Sequence, residues 1–468
     1  MNNKVRKLLS DFSYTISSNF ISLLISTIVI LVVPKLIGIR EYGYWQLYTF
    51  YAAYVGIFHF GWNQGIYLKH GGASYQHLEK SHFSTQFYLL FSLELCIAIL
   101  AWLISSFISN NNEAFILQML AFSMILANLR EFFLVLLQDT GRMKLYSIIN
   151  ISDRFFYVFL TILLLIFGIR DYKLLIVADL IGKFISLLLV MYICSDLFFT
   201  KPYFNINSVK NSVEYISIGI KLLIATYASS FIIATIRYFI KMFWGVATFG
   251  KVSLVISISN LLLVFIMAIS IVLYPILRRV QTDSLPKVYL QTRQIIMFIM
   301  ICGLILYFPS KVFLPLWLPK YSDSIAYLSF LFPLCVYEGK FELLINTFMK
   351  TLRLEKELLY INVTALLMSI ALSLMNIFLL KNIYLMIFQI VFVLALRSII
   401  AELYITYLLH INSVSKILEE TFVVLIFISS TWFMSINRAF LIYLIVLTIF
   451  IFINYKKTYG AIQELIRI

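Results

Sequence analysis

Fourteen apolar stretches of roughly membrane-spanning length follow one another along this chain, and no other feature restricts its fold as strongly. A helix that crosses a bilayer needs roughly 20 mainly apolar residues. On that criterion spans are predicted near residues 13 to 34, 44 to 61, 84 to 108, 114 to 138, 147 to 168, 173 to 195, 215 to 238, 250 to 274, 293 to 314, 324 to 349, 358 to 380, 383 to 409, 417 to 436 and 438 to 455. The second and last are short, so twelve or thirteen crossings also fit the sequence. Composition agrees: 62% of the 468 residues are hydrophobic and 13% are charged. A soluble chain of this length could not hide that much apolar surface in one or two cores. The expected class is an all-α polytopic membrane protein.

The net charge of +15 points to nucleic acid only where a soluble domain carries a basic face, and no such domain is visible. The excess is expected in cytoplasmic loops instead. With the N-terminus inside, twenty lysines and arginines fall in connections on the cytoplasmic side and ten on the other. That bias places both termini in the cytoplasm. Lys4, Arg6 and Lys7 precede an apolar run too long for a cleaved signal peptide and lacking a small-residue cleavage site, so it reads as the first spanning helix. Connections reach at most about 22 residues, too short for an extramembranous catalytic domain. Cys96, Cys194, Cys302 and Cys335 lie in or beside apolar segments with no ligand or disulfide spacing, and read as packing residues. His59, His70, His77 and His82 cluster around the first cytoplasmic loop without a zinc pattern, so no metal site is expected. No Walker A sequence occurs, so neither ATP nor another cofactor is expected.

An internal duplication organises the spans. Gly38-Ile-Arg-Glu-Tyr42-Gly43 and Gly245-Val-Ala-Thr-Phe249-Gly250 both read Gly-x-x-x-aromatic-Gly between apolar segments, 207 residues apart. Glycine reaches positive φ without steric cost, and an aromatic suits a membrane interface, so each motif is expected to be a tight reversal. Glu131, Thr140 and Arg142 recur as Glu342, Thr351 and Arg353 at an offset of 211. A parallel repeat is implied, with an N-lobe over residues 1–200, a cytoplasmic linker over 201–214 and a C-lobe over 215–411. Two C-terminal helices and a cytoplasmic tail, residues 412–468, lie outside the duplication and look like an appendage.

Ionisable groups inside spans are costly and mark functional candidates. They are Glu94, Arg130, Glu131, Asp179, Lys183, Lys221, Arg237, Glu338, Lys340, Glu342, Arg397 and Glu402. Asp179 and Lys183, four apart, share a helix face and can neutralise each other, whereas Glu338 and Glu342 cannot. Glu94, Lys221 and Arg397 have no opposite charge three or four residues away. They need partners on other helices, water or a charged ligand.

The Gly38 to Gly43 turn, the segment Phe60-Gly61-Trp-Asn-Gln-Gly65-Ile-Tyr-Leu-Lys69, the helix end Gln138-Asp-Thr-Gly141-Arg142 and the Gly245 to Gly250 turn together resemble the multidrug/oligosaccharidyl-lipid/polysaccharide (MOP) exporter superfamily. Within it, the chain is similar to Wzx-type polysaccharide flippases over about residues 10 to 410. The resemblance implies two six-helix bundles facing each other across a cavity that opens alternately to either side. It also implies movement of undecaprenyl-diphosphate-linked oligosaccharide to the outer leaflet of a bacterial inner membrane, for O-antigen or capsule assembly. The partners implied are that lipid-linked sugar, membrane lipids and other polysaccharide-assembly proteins, with no nucleic acid.

Peptidoglycan lipid flippases of the same superfamily have fourteen helices and hold the diphosphate with cavity arginines. Here the first helix offers Ser17, Ser18, Asn19, Ser22, Ser26 and Thr27 and no internal arginine, which favours a sugar-chain substrate. Substrate-contact candidates are then Lys221, Arg237, Arg130 and Arg397, with Ser18, Asn19 and Ser22 replacing sugar hydration. Two rivals stay open. A drug/cation antiporter of the same superfamily would couple to an ion through Glu94, Glu131 or Glu342. A membrane enzyme acting on lipid-linked sugars would need an acidic pair or histidine at a catalytic loop, and the short outer connections argue against it.

Overall fold

The structure, a computed structural model, describes residues 25–277 and 284–467. Among the described residues there are helices and no strands. The chain divides into two compact units, Met1–Tyr227 and Ala228–Ile468. The division falls within a continuous helix rather than in the 201–214 segment.

Unit 1 begins with α1 (Ile25–Leu36) and α2 (Ile39–Ala52). After α2 a 3-10 turn at Val55–His59 and two left-handed residues, Phe60 at φ 52° and Gly61 at φ 90°, break the expected second span. A short helix, α3 (Trp62–His70), follows in what the sequence presents as a polar loop. Then come α4 (Lys80–Ser105), α5 (Asn111–Asp139), α6 (Met143–Ile166) and α7 (Tyr172–Ile193). The Asn110 and Asp171 side chains cap α5 and α7, accepting from the N–H groups of Asn112 at 3.0 Å and Lys173 at 2.9 Å.

α5 is the axis of the unit: 67% of its most apolar stretch is buried against 22% for α4. Phe132 and Phe133 on α5 meet Phe87 on α4, with ring centroids 5.8 and 5.1 Å apart. The outer face of α4 presents Leu95, Ile99, Leu100 and Leu103 uncovered, as a lipid-facing helix must.

A short turn, α8 (Ser195–Phe198), leads to α9 (Ile206–Leu277), whose two limbs meet at Gly245. Gly245 has φ 80° and ψ 172°, outside helical space, so the second motif does use its first glycine to reverse the chain. The first motif does not. Gly38 has φ −72° at the start of α2, and Gly43, buried inside α2, and Gly250, inside α9, are helical. The break between α1 and α2 is two residues long, at Ile37 and Gly38, and the expected six-residue turn is mostly helix.

Unit 2 continues with α10 (Leu285–Gly303), α11 (Tyr307–Trp317) and a 3-10 stretch at Pro319–Tyr327. The predicted span over 324 to 349 is a chain of short pieces: α12 (Leu328–Leu331), Pro333, α13 (Leu334–Gly339), a π-helical segment at Lys340–Ile345 and α14 (Asn346–Thr351). Proline removes a backbone donor, and π segments mark a helix forced off its register. α15 (Glu355–Met375), α16 (Ile383–Leu408), α17 (Val414–Phe433) and α18 (Ile436–Arg467) complete the unit.

Every predicted span therefore falls on helix among the described residues, the first from Ile25 onward. Nine helices there are individually long and apolar enough to cross a membrane. The five remaining predicted crossings come from the second limb of α9, from the broken helix over 324–349, and from the shorter or more charged α1, α2 and α17.

The duplicated helix ends share their closure. Thr140 and Thr351 each donate to the carbonyl four residues back, at 2.7 and 2.8 Å. Gly141 and Arg353 then take positive φ, and Arg142 N–H to Leu137 O and Leu354 N–H to Met349 O, both 2.8 Å, form the same wide capping bond. The last two helices are less of an appendage than expected. Phe427 of α17 lies 5.2 Å from Tyr307 and 5.1 Å from Tyr443 of α18, so both helices share the aromatic core of unit 2.

Candidate functional site

In unit 1 the charges hang on α5. Buried Glu94 on α4 accepts from Asn128 Nδ2 at 2.7 Å, while its second oxygen has no partner among the described residues. Asn128 also donates to Val55 O at 3.1 Å and accepts at its own carbonyl from Asn63 Nδ2 at 3.1 Å. The broken second span is thus tied to α5 at the level of Glu94. Two residues on, Arg130 pairs with Asp153 of α6 at 2.7 Å, both little exposed, and Glu131 is partly buried beside it. Asp179 and Lys183 pair as expected on α7. Tyr48 of α2 donates to Asp179 at 2.6 Å and Lys183 donates to Ser123 at 3.0 Å, which makes the pair a joint between three helices.

Unit 2 supplies the partner that Arg397 lacked in its own helix. Its guanidinium meets Glu338 of α13 at 2.6 Å and Ser229 of α9 at 2.7 Å, and stacks 3.7 Å above the Phe341 ring. Glu342 accepts from Asn346 at 2.8 Å. Arg237 reaches across the α9 kink to Ser253 at 2.8 Å, over the Phe249 ring. Arg130, Arg237 and Arg397 are thus held by protein groups. Lys221 is exposed on the first limb of α9 and has no ion pair or hydrogen bond among the described residues. Ser18, Asn19 and Ser22 lie outside the described residues.

The largest charge cluster was not anticipated as one. Arg293 of α10 binds Glu402 of α16 through Nε and Glu420 of α17 at 2.7 and 2.9 Å. Lys340, first residue of the π segment, also bridges Glu402 and, at 3.0 Å, Glu420. All four side chains are at most 8% exposed, and two cations face two anions. Lys340 and Glu402 stand among the in-span charges, whereas Arg293 and Glu420 sit near the ends of predicted spans and are not among them. Asp153 and Arg154 on α6 were missed as well, although the in-span criterion would have selected them. A buried ion pair at the edge of an apolar run resembles the end of the run.

An all-helical polytopic chain of two units, with most in-span charge paired inside each, has the fold of MOP-superfamily transporters. The structure matches an inward-facing multidrug resistance MATE family transporter of the MOP superfamily with TM-score 0.64 and 12% identity, over 84% of this chain and 98% of that one. It matches the lipid II flippase MurJ in an inward closed conformation with TM-score 0.58 and 14% identity, over 95% of this chain and 99% of that one. A MOP superfamily transporter from Pyrococcus furiosus with reversed binding-pocket polarity gives TM-score 0.54 and 12% identity, over 86% and 95%. At these identities the likeness is one of fold. Comparison with curated proteins finds no match. The model of the polysaccharide biosynthesis protein family matches residues 32–316, and the chain belongs to that family.

Proposed function

We propose that the protein is a Wzx-type flippase that carries undecaprenyl-diphosphate-linked oligosaccharides from the inner to the outer leaflet of a bacterial cytoplasmic membrane by alternating access, for O-antigen or capsule assembly. The observation that carries this reading is the match to a polysaccharide biosynthesis family over residues 32–316 in a chain with a transporter fold. Both termini lie in the cytoplasm, as the basic bias requires. Two lobes are the moving parts, and ligand binding shifts the balance between their two arrangements. No bond in the substrate is made or cut.

Lys221 is the leading contact for the diphosphate, because it is an exposed cation without a protein partner among the described residues. Lys221→Glu is expected to lower transport more than tenfold with the protein still in the membrane, and Lys221→Arg to keep part of it. Wild-type transport by Lys221→Ala at normal expression assigns the residue to lipid instead.

In cells, depletion of the protein is expected to leave complete oligosaccharide units on their lipid carrier in the inner leaflet and to deplete the surface polymer. Units lacking a sugar or an acetyl group would support the enzyme reading. The antiporter reading has one specific observation in its favour, the second oxygen of buried Glu94. It predicts unchanged polymer and reduced drug tolerance.

A further inference from the structure

A second polar site lies in unit 1, away from the in-span charges. Two clefts of about 540 and 370 Å³ share Glu79, His82 and Asn211, so they form one continuous groove. One wall is the start of α4, and the other is the 199–212 segment laid along it. Ser84 Oγ donates to Thr200 O at 2.7 Å, Tyr203 N–H donates to Thr85 Oγ1 at 2.8 Å, and Gln86 bonds Ser208 O at 3.0 Å and Ser212 Oγ at 2.8 Å. At the far end His70 and His82 each place Nε2 on the Tyr215 hydroxyl, at 2.7 and 2.9 Å. The walls are therefore held by bonds that the groove does not need for a ligand.

What is left over is suited to hydroxyl groups. Asn207 and Asn211 keep their whole amides, and Glu79 and Lys201 have no hydrogen bond from their side chains among the described residues. Burial, with His82 and Lys69 nearby, holds the His70 imidazole below its usual pKa, and with Nε2 engaged by Tyr215 only its Nδ1 is left for a ligand. The two amides and the carboxylate supply donors and acceptors side by side, as adjacent sugar hydroxyls require. The nearby cation Lys69 is already paired with Glu214 at 2.8 Å, and Lys201 shares the cleft with Glu79, so these charges balance and no excess positive charge calls for a strongly anionic ligand.

The rim places the groove at a bilayer surface. Ser208 and Ser212 on the first turns of α9 are buried, whereas Ile206, Val209 and Val213, with Phe199 and Phe204 before them, are 47 to 79% exposed. Such an outward apolar face, flanked by Lys201 and Lys210, fits the headgroup and acyl boundary and not water. We propose that this groove is a capture site for the saccharide head of a lipid-linked oligosaccharide in the cytoplasmic leaflet, engaged before translocation. The inference rests on the flippase reading for its ligand.

The test measures binding, separately from transport, with the full chain in nanodiscs. The probes are a lipid-linked oligosaccharide extracted from the depleted strain, undecaprenyl diphosphate without sugar, and the free oligosaccharide. The doubly substituted Asn207→Ala/Asn211→Ala protein is expected to bind the first probe at least tenfold more weakly and the sugar-free lipid as wild type does. The singly substituted Asn207→Ala, at an exposed position, should show part of the same selective loss. Equal affinity of variant and wild type for the first probe overturns the capture site even if flipping is intact. An equal loss for both lipids also overturns it. The free oligosaccharide is expected to lose the same affinity in the double variant, and equal binding of it by variant and wild type overturns the headgroup assignment. If wild type binds the first probe selectively through these asparagines yet never flips it, the transport reading fails and the site stands.

Discussion

Gly219→Ala is expected to leave little folded protein in the membrane, with at least a tenfold drop in the monodisperse fraction after extraction. The backbones of α3 and α9 cross here with nothing between them. A Cβ on Gly219 would lie 1.9 Å from Gly61 O and 2.4 Å from Gly65 N, and one on Gly65 would lie 2.0 Å from Tyr215 O. Ordinary carbon contacts need about 3.5 Å or more. Alanine is favoured over glycine in a helix by roughly 1 kcal/mol, but every clashing atom is backbone and no rotamer change can relieve it. The helices must separate, at a cost at or above the top of the roughly 1 to 3 kcal/mol seen for overpacking. Gly460→Ala on α18 is the control, because its Cβ meets open space, and it should be neutral or gain up to about 1 kcal/mol. Wild-type behaviour of Gly219→Ala in fluorescence-detected size exclusion would show that the crossing is looser than described.

Glu402→Gln is expected to destabilise the protein by about 3 to 5 kcal/mol, the usual result of stripping one partner from a buried ion cluster. Its carboxylate accepts from both Arg293 and Lys340, so the change leaves two buried cations facing Glu420 alone. Removing a balanced pair tests the cause. In Glu402→Gln/Lys340→Met the Arg293 and Glu420 pair remains, at 2.7 and 2.9 Å, and neutrality returns. The double variant should recover most of the loss in thermal stability, a coupling that independent sites do not show. If it is no better than the single variant, the hydrogen bonds of Glu402 matter more than its charge. The cluster joins α10, the π segment, α16 and α17, so its integrity also reports docking of α17.

Helices were legible because an apolar run of membrane length has one solution in lipid, in which each span satisfies its own backbone. Interruptions were not, because apolar side chains continue through them. Past Ala52, only Gly56, His59 and Gly61 interrupt the apolar run over residues 44 to 61, too little to place the break, and the π segment at Lys340–Ile345 is spelled with ordinary helix formers. Pairing was legible only at short range. Asp179 and Lys183 declare each other at four residues, whereas Arg397 finds Glu338 at a separation of 59. The glycines show the same limit. Gly61 and Gly65 stood out as a motif, yet their partner Gly219 is set by tertiary packing, and Gly38 shares its pattern with Gly245 without sharing its φ.

The most direct test of the central claim is flipping by the purified protein alone. Vesicles carrying a fluorescent lipid-linked oligosaccharide in both leaflets are treated with an impermeant sugar-modifying reagent, with and without the reconstituted chain. The account predicts that only the outer half reacts promptly in empty vesicles, and that with the protein the remainder follows within minutes, much more slowly for Lys221→Glu. Protection of the inner half equal to that in empty vesicles, from protein shown to be folded by size exclusion, would contradict it.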